Sequence, residues 1–472
     1  MKKIAILVSS LVLTISAGTA AVQSIYTNEI AISFDILKPE VWSSLMKSHG
    51  GQKSEYFSVI TQLGFKVAAT NETFSHYEDD WIHETVKAAN PIVVGAAGAA
   101  TTFVIDPVSL DSDNRFYVRE KDQILLQTGV RVTVNDIDTT TPTAPIVTVI
   151  PSDPTAVATV VAGEEFAIFS NQSDEGTDQP AGRFSGTRKY ENDLQIIKET
   201  LSVTGTQMTD GIWFDTYEYA GENGETLSAY YIKGQQDAEY RIALSMEGAC
   251  LFGERNTNPL NIDPETGKQA RSTEGTYTYM EKNGNIVNYT SGSFTVSKFN
   301  EINKIADKEV APDNYCAFLG IDIHDEFDDA FVDYNKDTNI SFTKTVTGGK
   351  KEMDIGFEML RKSGRTYGFK RLDSFSNAKT YGAQGYGYSS EGMFIPLGHN
   401  KAINNNSSTS LPTVGMRFKQ LGSYNRYMEI WDNSGAGIGR KVTQNDSRNL
   451  YLRSHIGAHN MVGNQMILLK TA

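Results

Sequence analysis

The sequence predicts an α+β fold, rich in strands, with a separate all-β module inserted in its first half. Three observations lead there. The 472-residue chain carries 40 glycines, 22 tyrosines and 22 phenylalanines, a mixture suited to turns and half-buried pleated surfaces. Strict alternation marks residues 130–134 and 146–150. Helical spacing takes over at 235–252, where Ala238, Ile242, Met246, Ala249 and Phe252 share a face and Glu239, Arg241 and Glu247 lie elsewhere. At about 100–200 residues per domain, two to three domains are expected.

In chain order, Met1-Lys2-Lys3 precedes an apolar run over 4–15 and then the small residues Ala17, Gly18, Ala20 and Ala21. This is the layout of a secretory signal peptide. Kept in the folded protein, it is an N-terminal arm with an apolar side for a neighbouring subunit. The run is too short to span a bilayer as a helix of about 20 residues. Residues 22–55 hold one short helix, with Pro39 in its first turn and Val41, Trp42, Leu45 and Met46 as its apolar stripe. Residues 56–84 concentrate aromatics: Phe57, Phe65, Phe74, Tyr77 and Trp81, with 73–81 extended.

The all-β module occupies about 90–170, its strands separated by turn chemistry at 111–114, 139–145 and 151–154. A polar loop, 171–186, leads to a second extended arm at 187–206. The helix at 235–252 follows, about 27 Å long at 1.5 Å per residue. Residues 253–295 read as loop and hairpin, with Asn283-Gly284 as a tight turn. Three shorter helices are expected in 296–363. One is capped by Ser297 and carries Phe299, Ile302 and Ala306. One carries Ile323, Phe327, Ala330 and Phe331. The last runs over 351–361 and stops at Gly364. Strands at 315–320 and 340–346 alternate with them. Residues 365–470 return to β, with strands at 365–369, 392–397, 414–418, 427–431 and 465–469 around a polar loop at 400–410.

Signatures of chemistry are sparse. No phosphate-binding G-x-x-x-x-G-K-[ST] occurs, and Gly435-Ala436-Gly437-Ile438-Gly439 does not match G-x-G-x-x-G. Around Ser389 and Ser390, neither serine has glycine both two before and two after it, so no nucleophile elbow forms. His455 and His459 are four apart, but no H-E-x-x-H is present; His76 and His83 suit interface packing better than ligation. Asp322, Asp325, Glu326, Asp328 and Asp329 lack calcium-loop spacing and fit a solvated helix face. Cys250 and Cys316 are two buried free thiols or a single bridge. The net charge of −14 disfavours gripping a phosphate backbone. No catalytic residue, metal or cofactor is expected.

One stretch carries a family likeness. Tyr190-Glu191-Asn192-Asp193-Leu194-Gln195-Ile196-Ile197-Lys198-Glu199-Thr200-Leu201-Ser202-Val203-Thr204-Gly205-Thr206 resembles a segment of tailed-phage major capsid proteins, the Hong Kong ninety-seven fold. There an Asn, a Gln-Ile pair and a closing V-S-G-T-like phrase precede a long helix; here Thr204 stands in the usual Ser place. Upstream, His76-Tyr77-Glu78-Asp79-Asp80-Trp81 is similar to the outgoing strand of the family's extended E-loop. The aromatic, Gly-rich style also resembles capsids of crAss-like phages.

The resemblance implies an N-terminal arm at 1–55 and an E-loop region at 56–206 containing the β module. It implies a peripheral domain at 207–295 with its spine helix at 235–252, and an axial domain at 296–400. Closing strands of the peripheral domain take 401–472. It implies self-assembly into hexamers and pentamers of a head around double-stranded DNA, in the host cytoplasm. Scaffolding, portal and decoration proteins are the expected further partners; DNA is held only non-specifically, and no membrane is involved. Assembly contacts are expected at Trp42, Phe57, Phe65, Phe74, Tyr77, Trp81, Gln195, Ile196, Val203, Thr204, Gly205 and Thr206. The alternatives are a secreted or surface-exposed β-rich adhesin or glycan-binding protein, and a glycoside hydrolase with an unrecognised carboxylate pair.

Overall fold

The computed structural model describes residues 55–471, apart from 63–64, 80–84, 95–97, 111–113, 115, 181, 183–186, 210–228, 339–357, 378, 380, 383–386, 398, 402–409 and 438–439. The expected helix around Val41–Met46, Trp42, Trp81, His83 and the expected strand at 340–346 lie outside the described residues. The chain divides into two compact units. One comprises 1–52, 200–238 and 432–451; the other comprises 53–199, 239–431 and 452–472.

The larger unit starts with a helix, α1 (Glu55–Gln62), where an aromatic arm was expected. Tyr56, Val59 and Ile60 are buried, three residues at helical spacing. Two strands follow, β1 (Lys66–Ala69) and β2 (Thr73–Asp79). Then the chain builds β3 (Thr85–Lys87), β4 (Ile92–Val94), β5 (Thr101–Val104), β6 (Asp122–Leu125), β7 (Arg131–Asp138), β8 (Ile146–Pro151), β9 (Ala158–Val160) and β10 (Glu165–Asn171). Six of these form an antiparallel sheet in the order β3-β10-β6-β7-β8-β5, and β4 pairs with β9. Alternation explains the register: Val132 and Val134 point inward while Arg131 stays exposed. The core they fill is drawn entirely from 86–168, with Phe103 and Phe166 edge to face at 5.2 Å.

Strand β11 (Thr187–Asp193) returns along β2 over seven residues, Thr187 opposite Asp79 and Asp193 opposite Thr73. Next come β12 (Gln195–Thr204), the short α2 (Gly205–Thr209) and α3 (Ala229–Phe252). The helix α3 begins six residues before its apolar spacing does. Its buried face is Ala238, Ile242, Met246, Ala249, Cys250 and Leu251.

The expected hairpin around Asn283-Gly284 is instead the end of a helix, α4 (Thr276–Asn283). Gly284 accepts the helix C-terminus, its N–H donating to the Met280 carbonyl at 2.8 Å. An Asn-Gly pair serves a helix end as well as a hairpin, and buried Tyr277, Tyr279 and Met280 decide for the helix. After β13 (Asn285–Tyr289), helix α5 (Val296–Lys308) has Thr295, not Ser297, at its N-cap position, with the Thr295 carbonyl accepting from the Lys298 and Phe299 N–H groups. Then follow β14 (Asn314–Leu319) and α6 (Ile321–Thr338).

The helix expected at 351–361 is contradicted at its end by β15 (Glu358–Lys362), which pairs with β16 (Arg365–Arg371). Ser363 and Gly364 both have positive φ, the signature of a two-residue hairpin. Arg365 explains why the strand matters to α5: it donates to the Ala306 and Ala311 carbonyls and pairs with Asp307, placing a cation at the helix C-terminus.

The remaining elements are α7 (Asp373–Ser376), β17 (Gly392–Pro396), β18 (His399–Lys401), β19 (Ser410–Pro412), β20 (Val414–Leu421), β21 (Tyr424–Asn425), β22 (Glu429–Ser434), β23 (Ser447–Asn460) and β24 (Ile467–Thr471). A mixed sheet runs β13-β24-β17-β14-β16-β15. Helices α5 and α6 pack Phe299, Ile302, Ile323 and Phe327 into its core with Tyr315, Tyr367 and Phe394. A second sheet runs β1-β20-β23-β12, with β21 beside β20 and β22 beside β23. The cysteines are free and buried, one on α3 and one on β14.

The smaller unit shows what the Val203-Thr204-Gly205-Thr206 phrase does. Thr204 Oγ1 accepts from the Gln207 N–H at 3.3 Å, and Gln207 Oε1 accepts from the Thr204 N–H at 3.1 Å. This reciprocal capping box ends β12 and starts α2. Gly205 donates its N–H to the Asp446 carbonyl at 3.2 Å, and a Cβ there would strike the Asp446 carboxylate. Ser and Thr are interchangeable at 204 because either hydroxyl can cap.

Candidate assembly surfaces

The β2–β11 ribbon is held at its base by a dense polar lock. Asn192 uses its whole side-chain amide: Nδ2 donates to the Glu274 and Ala458 carbonyls, both at 2.9 Å, and Oδ1 accepts from the Glu274 N–H at 2.7 Å. Asp193 accepts from Thr73 Oγ1 at 2.6 Å and from Arg255 Nε at 3.0 Å. Arg255 also reaches Glu191 at 3.3 Å. Glu78 accepts from the Val462 N–H at 2.6 Å and lies 2.9 Å from His76 Nε2.

Beneath the ribbon, Phe74 is buried under the Arg417 guanidinium, 4.9 Å above its ring. Arg417 Nε donates to His459 Nδ1 at 3.1 Å, which fixes the His459 proton on Nε2. Burial, with the Arg417 charge second, lowers His459 to about 3. Burial also lowers His455 to about 4. The two histidines lie on one face of β23 because they are four apart in a strand, and both are buried in packing. Among the described residues no group of three or more His, Cys, Asp or Glu is placed to hold a metal ion. Burial pushes both cysteine thiols up to about 12, so neither presents a thiolate near neutrality.

The expected assembly residues therefore separate. Phe57 stacks on Tyr427 at 6.2 Å, and Phe65 is half-buried with its carbonyl accepting from the Met416 N–H. Phe74 and Val203 are buried, and Gln195 accepts from the Thr273 N–H at 3.3 Å. Outward-facing are Tyr77, 67% exposed, and Ile196, 45% exposed, with Thr204 and Thr206 also at the surface. Gly205 is half-buried. Between ribbon base and the 255–271 loop lies an open groove of about 1060 Å³, crossed by the Arg271–Glu72 pair at 3.2 Å.

The acidic residues of α6 are not all solvated as expected. Asp322 accepts from Ser389 Oγ at 2.6 Å, and Glu326 accepts from the Gly292 and Phe294 N–H groups at 2.6 and 3.1 Å. Asp325, Asp328 and Asp329 are exposed.

The sequence reading overlooked one surface. At the turn joining β20 to β21 and on into β22, Leu421 is 73% exposed, Tyr424 57%, Ile430 47% and Trp431 43%, with Met428 also exposed. No run of alternation marks it in the sequence, because Arg426 and Glu429 interrupt its apolar residues.

A family model for the SU10 major capsid protein matches residues 53–350, more than half of the chain. The chain belongs to the SU10 major capsid protein family. This capsid protein is thus a structural component of a phage head that associates with itself into capsomers. It is similar in structure to Microbacterium phage Oxtober96, with a TM-score of 0.39 and 9% identity over 95% of this chain and 100% of that one. It is likewise similar to Mycobacterium phage Cain, with 0.39 and 10% over 95% and 99%. The capsid of a native GTA particle gives 0.38 and 9% over 96% and 100%. A search of curated proteins finds no match. Nothing in these comparisons supports the secreted adhesin.

Proposed function

We propose that this capsid protein assembles, in the host cytoplasm, into hexamers and pentamers of an icosahedral head enclosing double-stranded DNA, and that it has no enzymatic role. The observation carrying this reading is the family match over 53–350. The capsomer contacts are Tyr77, Ile196, Thr204 and Thr206. Phe57, Phe65, Phe74, Gln195, Val203 and Gly205 hold these in place from within the subunit. Trp42 and Trp81 belong to the same contacts.

In this reading residues 1–55 are the N-terminal arm and 56–206 the E-loop region, its β module standing on the β2–β11 ribbon. Residues 207–295 are the peripheral domain, 296–400 the axial domain and 401–472 the closing strands. The mixed sheet that includes β14, β16 and β17 supports an axial domain, and it recruits β13 and β24 from outside that range. Scaffolding, portal and decoration proteins are further partners. The net charge of −14 supports holding DNA by confinement, without specific contacts.

The test is electron microscopy of the expressed full-length chain, alone and with a scaffolding partner. Rings, tubes or shells are expected. A chain that stays monomeric under all these conditions overturns the reading.

A further inference from the structure

We infer that the β2–β11 ribbon is a latch on the turn between β23 and β24: Glu78 holds that turn in a strained backbone, and withdrawing the ribbon lets the turn relax and carries the movement into β24. The turn, residues 461–466, is where the chain passes from the β1-β20-β23-β12 sheet to the mixed sheet. Val462 lies near its start with φ 55° and ψ 56°. Left-handed backbone crowds the Cβ of any L-residue, and a β-branched valine is among the residues least suited to it. Strain of this kind persists only where the surroundings impose it.

Three contacts impose it. The Met461 N–H donates to the Thr413 carbonyl at 2.9 Å and fixes the end of β23. Gly463 is pressed against the end of α4, where a Cβ would come within 2.8 Å of Asn283 Cβ and 3.0 Å of the Tyr279 ring. Between these two fixed neighbours, the Val462 N–H donates to Glu78 Oε1 at 2.6 Å, although the two residues are 384 apart in the chain. Only this last contact comes from the ribbon, so it is the one that ribbon movement undoes. Val310 makes a useful contrast. It is also left-handed, with φ 49°, but its N–H donates to the Asp307 carbonyl at 3.1 Å, a local contact at the end of α5.

The latch is aimed by both strands of the ribbon. Glu78 Oε1 also lies 2.9 Å from His76 Nε2, and His76 stacks on Tyr190 of β11 at 5.4 Å. His76 and Glu78 share the inner side of β2, whereas Tyr77 between them is 67% exposed on the other side. A pull on the Tyr77 ring is therefore delivered to the carboxylate that holds Val462. Beyond the turn, β24 lies between β13 and β17, so a shift of residues 461–466 reaches the middle of the mixed sheet.

The experiment is hydrogen–deuterium exchange of the full chain, read in peptides covering 461–466 and 467–471, with 122–138 of the β module as reference. Glu78→Ala should speed exchange in 461–466 about tenfold and speed it measurably in 467–471, with the reference unchanged. Glu78→Gln keeps an acceptor and should exchange like the ordinary chain. The strain is read separately with Val462→Asn, because asparagine takes left-handed backbone far more readily than valine. In that background Glu78→Ala should speed exchange much less, since the turn no longer gains by leaving its conformation. If Glu78→Ala also speeds exchange in the reference, the fold itself has loosened. Glu78→Asp, whose oxygen is drawn back by one carbon–carbon bond, then takes its place with the same expected results. Unchanged exchange in 461–466, acceleration that stops short of 467–471, or equal acceleration with and without Val462→Asn each overturn the latch and leave the capsid reading intact.

Discussion

At the scale of single residues, the base of the β2–β11 ribbon is made of groups that tolerate little change. Asn192 satisfies the buried Ala458 carbonyl and ties down both backbone groups of Glu274; leaving a buried carbonyl such as that of Ala458 unsatisfied costs about 1–3 kcal/mol. The histidines beside it add a dependence on pH. His455 and His459 start from an ordinary value of 6.5 and fall to about 4 and about 3 in the fold. A base whose folded value is depressed is held neutral, so its contribution is complete above pH 6.5. It is lost as pH falls, because the unfolded chain takes up protons that the folded chain refuses. Between pH 7 and pH 5 each histidine should remove about 2 kcal/mol. Denaturant unfolding of the full chain and of His459→Gln, measured at both pH values, checks this. Gln keeps an acceptor for Arg417 but does not titrate, so the variant should lose about 2 kcal/mol less over the interval. Equal losses would show that His459 is already free to protonate in the fold.

At the scale of elements, the module at 85–171 has its own core, drawn from its own residues. Replacing residues 80–186 by a short Gly-Ser turn should therefore leave the α3 helix and the mixed sheet folded. Far-ultraviolet circular dichroism and a cooperative melt of the shortened chain measure this, and loss of the cooperative transition would mean that the remaining core needs the module. The sequence made several of these elements readable. Alternation at 130–134 and 146–150 matches β7 and β8, and the spacing of Ala238, Ile242 and Met246 matches α3. Strand β23 was missed although it is 14 residues long. Its segment 454–460 is buried without interruption between β20 and β12, so it has no polar face to produce alternation. The end of the helix expected at 351–361, residues 358–361, failed for the opposite reason. Met359 and Leu360 with Lys362 suit either period, and the Ser363-Gly364 turn decided the outcome. The assembly phrase was legible as a likeness, but its physical content lay one residue further on. Gln207 completes the capping box that makes Thr204 meaningful.

At the scale of the whole molecule, each copy brings a net charge of −14 to an assembly of like-charged neighbours. Long-range repulsion opposes association and is screened over about 10 Å at 0.1 M salt. Light scattering should accordingly show assembly quickening several-fold as salt rises from about 20 to 200 mM; slowing would mean that attractive ion pairs dominate the contacts. The apolar turn at 421–431 was hard to see in the sequence because Arg426 and Glu429 interrupt the apolar residues, and only the fold shows that those charges are paired inward. The ribbon beneath the β module has a different consequence. Asp79 and Thr187 are directly opposed partners in an antiparallel pair, so the chain leaves and re-enters the subunit at points about 5 Å apart. Everything between them is, in topological terms, the tip of one hairpin. A foreign domain whose own ends lie side by side meets the same boundary condition, which makes this position a natural socket for displaying a guest protein on every copy of a shell.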